Sequence, residues 1–524
     1  MRSRPLALLV GVGIVLVAAC SAPVPARRDV VIGLVGEPAS VFADDPNARI
    51  IAAAVTEQLV RRDAHDELVA RLAARVPTLE NGGLVIVTDD PAAPDGRLVA
   101  TFELRPDLVW QDGAPLTAQD VRFAWETDRT APLGTETRWT AERVERVDVL
   151  SDRVARFTYR ANERWDDYAL AARVLPEHLL ANATPERRAQ YAREPVHAGP
   201  FAVAAWLPGI GITLSAFKGY ALGAPSLGRL EIRFYPDRAA LLDALRRRDV
   251  DVVPSPGLEA DLAGTLDRFA DGTTLQTFYK QSESLEVLRY GPRFADPALR
   301  QAIELAVDRR KLSASLFEGR TVVPRTYLVA PAWAATDAGS VPAQNVERAR
   351  AVLLSAGYTH GSFGILERGA QRFVVSILVG AGSVARAAAA QLVAGDLAGI
   401  GIAADVRVVA PEAAADAIAG GAFDLAIEAE DASDPQRATD RYRDGAGPWF
   451  DTLARAAAAA GPDRADKRLL YGELERAWDA GRIALPLYQR LQVDVAPRGL
   501  AGVEPTSDGA PLTWNVREWH FVKP

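Results

Sequence analysis

The chain has 524 residues, enough for two or three domains. Hydrophobic residues make up 49% and charged residues 24%, a balance typical of a globular protein. The formal net charge of -8 argues against nucleic acid as a partner.

The N-terminal segment resembles the leader of a bacterial lipoprotein. After two arginines, residues 6–19 form an apolar run that is too short for a bilayer span of about 20 residues. The run ends in VAAC, which is similar to a lipobox, and Cys20 is the only cysteine in the chain. We therefore expect a signal peptide at residues 1–19, a lipid on Cys20 and a tether at 20–28. An ordinary export signal cut after Ala19 is the alternative.

Hydrophobic periodicity predicts alternating strands and helices along the chain. In the first half, the predicted strands are Val30–Leu34, Leu84–Val87, Leu98–Leu104, Val154–Tyr159, Phe201–Trp206, Ile212–Ala216, Leu230–Phe234 and Val250–Val253. The predicted helices there are Arg49–Leu59, one that begins after Thr117, and Ala239–Arg247.

The second half repeats the pattern. Its predicted helices are Pro297–Leu316, Val346–Ala356, Val384–Ala398, Asp416–Ala419, Trp449–Ala459 and Asp463–Asp479. Its predicted strands are Val374–Val379, Ala404–Val408 and Phe423–Glu428. This order predicts an α/β protein of several lobes.

The residue patterns give little support to catalysis. The five histidines lack the spacing of a zinc site, and no nucleophile elbow, Walker loop or dinucleotide-binding glycine motif is present. An acid–base pair of carboxylates stays open, because the sequence does not give their separation. We expect a protein that is not an enzyme and that has neither a cofactor nor a metal.

Several blocks carry a family resemblance. Residues 102–126, FELRPDLVWQDGAPLTAQDVRFAWE, combine a turn at Asp112-Gly113 with a helix cap at Thr117. This block is similar to the W-x-D-G-x-P-x-T-A-x-D-V segment of the family 5 solute-binding proteins of ABC importers, the oligopeptide- and dipeptide-binding type. Further similar blocks follow in order: VLPEHLL, GPFAVAAWLPG, FADPALRQAIELAVDRRKL, VERARAVLLSAGY and ALPLYQR.

The resemblance implies an α/β, periplasmic-binding-protein-like (Venus flytrap) fold, in which two lobes close on a solute and an additional small α+β lobe decorates the first. By analogy, lobe I comprises residues 29–72, 198–283 and 486–524. The extra lobe II comprises residues 73–197, lobe III comprises residues 284–485, and the chain crossings near 284 and 485 form the hinge.

The resemblance also implies ligand residues. In peptide binders of the family an aspartate pairs with the α-ammonium of the peptide, and Asp431 falls at that position. Asp434 matches the family's acidic residue before proline, whereas Glu428 stands where the family usually has tryptophan. Four carboxylates within residues 428–434 favour a cationic or amine-bearing ligand. A solvated acidic turn is the alternative.

Other candidates lie further along the chain. Glu286 matches a cleft-facing position, with a surface glutamate as the alternative, and Tyr488 and Arg490 align with cleft-lining positions. An arginine at position 490 would bind a ligand carboxylate through two hydrogen bonds. Trp449 is the best-placed tryptophan for stacking on a sugar.

The expected function is capture of peptides or another amine-bearing small solute by a monomeric, lipid-anchored extracytoplasmic receptor, which delivers the solute to the permease subunits of an ABC importer. A carbohydrate or metal-chelate receptor is the alternative within the family. An envelope sensor or scaffold without transport is the alternative outside it, followed by an enzyme.

Overall fold

The computed structural model describes residues 29–63, 67–88, 91, 93, 96–161, 168–258, 275–443, 445–460, 464–506 and 510–522. Within these ranges, no helix is both long and apolar enough to cross a membrane. The predicted signal peptide, Cys20 and the tether lie outside the described residues.

One four-stranded sheet joins the start of the described chain to residues after 200. Its strand order is Asp29–Val35, Arg229–Tyr235, Gly211–Ala216 and Phe201–Leu207. The first pair is parallel and the other two are antiparallel. A core of buried aliphatic and aromatic side chains fixes this sheet to the C-terminal segment. The accompanying helices are Pro46–Val55, Arg238–Arg246 and the 3-10 helix Leu512–Glu518.

A second four-stranded sheet, entirely antiparallel, forms a smaller body with its own core. Its order is Leu84–Val87, Arg97–Glu103, Val154–Tyr159 and Val144–Ser151. A hairpin of Val60–Arg62 and Leu68–Ala70 precedes it. The helices of this region are Ala118–Thr130, Thr135–Arg143, Glu177–Leu180, Pro185–Arg193 and the 3-10 helix Tyr168–Ala171.

The predicted cap at Thr117 is confirmed. The Thr117 hydroxyl accepts a hydrogen bond from the N–H of Gln119, and the Asp120 carboxylate accepts one from the N–H of Thr117. Trp110, in the preceding turn, is fully buried. The block that resembles the family therefore stabilises the fold.

The largest sheet has five strands and belongs to the second half of the chain. Its order is Ala403–Val409, Val374–Gly380, Leu425–Asp431, Leu275–Tyr290 and Ala484–Pro497. The first three strands are parallel to one another, and the last two are antiparallel to their neighbours. The helices of this part are Pro297–Ala306, Arg309–Phe317, Val346–Ser355, Val384–Ala398, Pro411–Ala419, Pro435–Asp440, Pro448–Ala459 and Arg464–Gly481.

Shorter elements complete the described chain. They are the strands Thr359–His360, Leu366–Arg368, Gln371–Arg372, Leu500–Ala501 and His520–Phe521, and the 3-10 helices Pro292–Phe294 and Ser362–Gly364.

The two long strands of the five-stranded sheet, Leu275–Tyr290 and Ala484–Pro497, run side by side and connect it to the first four-stranded sheet. Residues 285–289 pair with residues 484–489 inside the five-stranded sheet. Residues 275–281 pair with residues 491–497. There Val495 also bridges to Val253, next to Val252, which bridges to Ile32 of the first four-stranded sheet. The chain crossings predicted near 284 and 485 fall within these strands, and the exact lobe boundaries remain a prediction.

Two predicted elements differ in the structure. Val250–Val253 is not a strand but makes isolated bridges, from Val252 to Ile32 and from Val253 to Val495. The predicted helix Pro297–Leu316 is broken at Val307, whose backbone is extended, because the Asp308 carboxylate caps a second helix by accepting from the N–H of Lys311.

Candidate ligand-binding site

A cleft of about 350 Å³ lies where the two main bodies face each other. The first body contributes Arg49, Ile50 and Arg238, among others, and the second contributes the N-terminal end of the helix Val384–Ala398 and the end of the strand Leu425–Asp431. The strand Leu275–Tyr290 contributes Ser282 to Ser284 and Glu286. The strand Ala484–Pro497 contributes Tyr488, Arg490 to Gln492, and Asp494. The cleft is thus lined by both lobes.

Strand register brings four of the lining residues onto one face of the sheet. Ser284 lies directly opposite Asp431, and Glu286 lies opposite Ala429 on one side and Tyr488 on the other. Because residues two apart on a strand share a face, the Ser284 and Glu286 side chains lie on the same face of the sheet. Their paired residues Asp431 and Tyr488 lie on that face too. Asp431, Glu286 and Tyr488 therefore all line this part of the cleft.

The carboxylate of Glu286 is already occupied. The Arg386 guanidinium donates two hydrogen bonds to it, from Nε to Oε2 at 2.7 Å and from Nη2 to Oε1 at 3.0 Å. Glu286 is only 2% exposed, and Arg490 Nε lies 3.7 Å from Oε1. Glu286 thus lines the cleft with its carboxylate paired to another side chain of the protein, and its contact with the ligand stays a prediction.

Asp431 is the last residue of its strand and is exposed in the cleft. Its Oδ1 accepts a hydrogen bond of 2.9 Å from the N–H of Ser433, which orients the side chain in a tight turn. Within the described ranges, no cation forms an ion pair with it. The Asp431 carboxylate is therefore available to a cationic group of a ligand.

Glu428 lies on the other face of the same strand, since it is an odd number of residues from Asp431. There it is 3.5 Å from Arg289, which also donates a 2.9 Å hydrogen bond to Glu430. Burial raises the pKa of Glu428, although the charge of Arg289 opposes the rise. The expectation that Glu428 contacts the ligand is corrected by this alternation.

Two further candidates lie elsewhere. Asp434 caps the helix Pro435–Asp440 by accepting 3.0 Å hydrogen bonds from the N–H groups of Gln436 and Arg437. Trp449, at the start of the helix Pro448–Ala459, is 64% exposed but does not line the described cleft. Both expectations are therefore corrected: the first residue is a helix cap and the second is a surface side chain.

Tyr488 and Arg490 both line the cleft. The Tyr488 ring packs against Phe317 with the ring centroids 4.9 Å apart, which fixes one wall. The Arg490 side chain is half-exposed, so its guanidinium is accessible to a ligand as well as near Glu286.

Sequence reasoning missed five charged residues at the site, one of which is the buried Glu283. Arg49, Arg238 and Asp494 line the cleft, and Arg386 binds Glu286. Arg49 is the first residue of one predicted helix and Arg386 is in the first turn of another, but no local motif distinguishes either. Only a comparison of segments about 100 residues apart would have found the Arg386 contact.

Burial raises the pKa of Asp494 to about 6, against the opposing effects of a hydrogen bond from Ser255 and the charge of Lys280.

In the part of the chain that the structure describes, no cluster of three or more histidine, cysteine, aspartate or glutamate side chains is arranged to hold a metal ion.

Comparison with known proteins adds independent findings. The family model of the bacterial extracellular solute-binding proteins, family 5 (middle), matches residues 85–448. The chain is 25% identical over 399 residues to the oligopeptide-binding protein AppA of Bacillus subtilis (strain 168), an alignment that covers 73% of this chain and 69% of that protein. Other curated relatives are matched over 40% to 63% of their own length.

Solved structures show the same two-lobe fold. Bacillus subtilis AppA in complex with a nonapeptide superposes with a TM-score of 0.72 at 21% identity, covering 95% of this chain and 100% of that one. NikA from Brucella suis in complex with Fe(III)-EDTA superposes with a TM-score of 0.78 at 18% identity, covering 94% and 100%.

Proposed function

This chain belongs to family 5 of the bacterial extracellular solute-binding proteins, the substrate-binding proteins of ABC transporters, and we propose that it captures peptides or another amine-bearing small solute between its two lobes. The observation that carries the proposal is Asp431, an exposed carboxylate in the cleft without an ion-pair partner among the described residues. A ligand ammonium placed there would form a charge-assisted hydrogen bond.

The arginines of the cleft support a ligand that also has a carboxylate. Arg490, Arg49 and Arg238 all line the cavity. The Arg49 guanidinium pairs with Asp44 at 3.1 Å, and both side chains are half-exposed, so this pair contributes little to stability. A cleft with a negative site at Asp431 and several guanidinium groups is complementary to a zwitterion such as a peptide.

We also propose that the protein works outside the cytoplasm, held at the membrane by a lipid on Cys20, and that its closed form delivers the solute to permease subunits. The lipobox-like VAAC sequence supports the anchor, and family membership supports the importer. A bound solute that contacts both lobes would favour the closed form through its higher affinity for that form.

An anionic metal chelate is the second candidate. The arginine-rich lining favours it, and NikA from Brucella suis was solved with Fe(III)-EDTA. The two candidates differ in their need for Asp431, because a carboxylate repels an anionic chelate and attracts an ammonium.

The deciding experiment identifies the solute that the protein carries in its own host. The protein is purified from the host envelope without denaturation, the bound solute is released by heat, and the released material is identified by mass spectrometry. The Asp431→Asn variant is processed in parallel. We expect peptides or amines with the wild type and far less of them with the variant, whereas a sugar or a chelate recovered equally from both proteins would contradict the proposal.

A further inference from the structure

Arg386 and Glu286 form an ion pair in the cleft wall whose geometry is the same as that of an arginine binding the carboxylate of a ligand. Its two hydrogen bonds, 2.7 and 3.0 Å long, join one edge of the guanidinium to both carboxylate oxygens. This bidentate arrangement is the strongest that the two groups form. The Glu286 side chain is 3% exposed and that of Arg386 is 16% exposed, so the pair is largely shielded from water.

Local structure explains why the pair lies at the cleft. Arg386 is in the first turn of the helix Val384–Ala398, and its N–H donates to the hydroxyl of the capping residue Ser383. Ser383 and Ala385 both line the cavity. The guanidinium therefore reaches Glu286 from an element that forms the cleft wall, and both groups belong to the same large body, so the contact does not depend on lobe closure.

Two guanidinium groups lie beside the single carboxylate of Glu286. Glu286 faces two guanidinium groups, Arg386 in direct contact and Arg490 at 3.7 Å. Both of its oxygens already accept hydrogen bonds from Arg386. A cationic ligand group beside Glu286 would meet a paired carboxylate and two guanidinium groups, whereas at Asp431, opposite Ser284 on the neighbouring strand, it would meet an open carboxylate.

We propose that Arg386 is a specificity-determining residue: its guanidinium occupies the carboxylate of Glu286 and so excludes cationic ligand groups from this end of the cleft. The ligand then has its cationic group at Asp431 and a neutral or anionic group beside Glu286. This inference rests on the proposed capture of peptides or amine-bearing solutes and defines their charge pattern. Loss of the guanidinium converts the position into a site for a lysine or arginine side chain.

The first test uses synthetic pentapeptides of one common sequence, with lysine, arginine, glutamine, alanine, glutamate or aspartate at a single varied position. Each protein is incubated with the equimolar mixture, and the captured peptides are quantified by mass spectrometry. For Arg386→Ala, we expect the ratio of cationic to neutral peptides to rise by about 30-fold or more, the range of a desolvated charge pair. The double variant Arg386→Ala/Glu286→Gln should lose this enrichment, because no carboxylate remains to attract the cation.

Two further proteins control for folding and for surface charge. Arg386→Gln keeps a hydrogen-bond donor beside Glu286 and replaces the alanine variant if that variant does not fold. It should show enrichment of cationic peptides in the same direction. Arg476→Ala removes an exposed arginine paired with Glu473 on the helix Arg464–Gly481, away from the cleft, and should capture the same peptides as the wild type. An unchanged ratio of cationic to neutral peptides in both folded Arg386 variants would overturn the proposal.

A second test does not depend on peptide capture. Methylguanidinium is added to each protein, and the shift in melting temperature is measured. We expect stabilisation of Arg386→Ala, no comparable effect on the wild type, and none on the double variant. If no protein captures a peptide but methylguanidinium stabilises Arg386→Ala alone, peptide capture is refuted while the role of Arg386 stands. If methylguanidinium acts equally on all three proteins, the role of Arg386 is refuted.

Discussion

The Asp494 carboxylate accepts a 2.7 Å hydrogen bond from the backbone N–H of Ser255, which connects the long strand Ala484–Pro497 to the loop after Val253. Burial raises the pKa of Asp494 to about 6, with the charge of Lys280 acting in the opposite direction. An aspartate in the unfolded chain has a pKa near 3.8. Between these values the folded protein keeps a proton that the unfolded chain has lost.

This difference in pKa predicts a loss of stability as the pH rises. The contribution of Asp494 is fully present below about pH 4 and is lost as the pH rises through about 6, by up to about 3 kcal/mol. Asp494→Asn should lack this dependence, so its free energy of unfolding relative to the wild type should rise between pH 4 and 7. Urea unfolding of both proteins across that range checks it, and parallel pH curves would contradict it.

Asp431→Ala should weaken the binding of a captured peptide by about 30-fold or more. Once the lobes close, the ammonium–carboxylate pair is desolvated, and removal of one partner of such a pair costs about 2–5 kcal/mol. Calorimetry with the tightest-binding pentapeptide measures the change. Glu428→Gln is the matched control, because it neutralises a carboxylate on the same strand but on the opposite face. Equal affinities for wild type and Asp431→Ala would remove Asp431 from the site.

Lobe closure should be visible in solution. Small-angle scattering of the wild type should give a smaller radius of gyration with saturating pentapeptide than without it, since a ligand that contacts both lobes favours the closed form. At the same peptide concentration, Asp431→Ala should remain open. An unchanged radius for the wild type, with binding confirmed by calorimetry, would indicate a rigid scaffold.

Thr117→Ala should lower the free energy of unfolding by about 1 kcal/mol, because it removes a helix cap. The lost contact is the hydrogen bond from the N–H of Gln119 to the Thr117 hydroxyl. Thr117→Ser keeps the hydroxyl and should remain near wild-type stability. Chemical unfolding of the three proteins measures the effect, and equal losses in both variants would point to the threonine methyl group instead.

Cys20→Ala should prevent lipidation and leave the protein uncleaved or released from the membrane. Attached acyl chains stabilise membrane binding by about 0.8 kcal/mol for each buried CH₂ group, so the wild type should stay with the membrane fraction. Fractionation and labelling with radioactive palmitate check both proteins. If the wild type takes up no label and the variant fractionates identically, the lipobox interpretation is wrong.

Local sequence determined the elements whose stabilising contacts are also local. The cap of the helix Ala118–Thr130 involves Thr117 and Asp120, three residues apart, and both were evident in the sequence. The sequence analysis assigned Asp434 to the ligand site, whereas the structure makes it the N-cap of the helix Pro435–Asp440, a role typical of an aspartate before proline. The hydrophobic pattern also predicted several strands, such as Leu98–Leu104 and Val374–Val379, but it missed Val144–Ser151 and Ala484–Pro497, and Val250–Val253 makes only bridges.

The sequence and its family resemblance predicted seven ligand residues, and the structure puts four of them at the cleft: Asp431, Glu286, Tyr488 and Arg490. Only the tertiary structure decided which carboxylate is open to a ligand. Sheet order and register bring Glu286 within hydrogen-bonding distance of Arg386, a residue 100 positions away, and leave Asp431 without such a partner in the described chain. Charge pairing depends on distance in space, which sequence separation does not give.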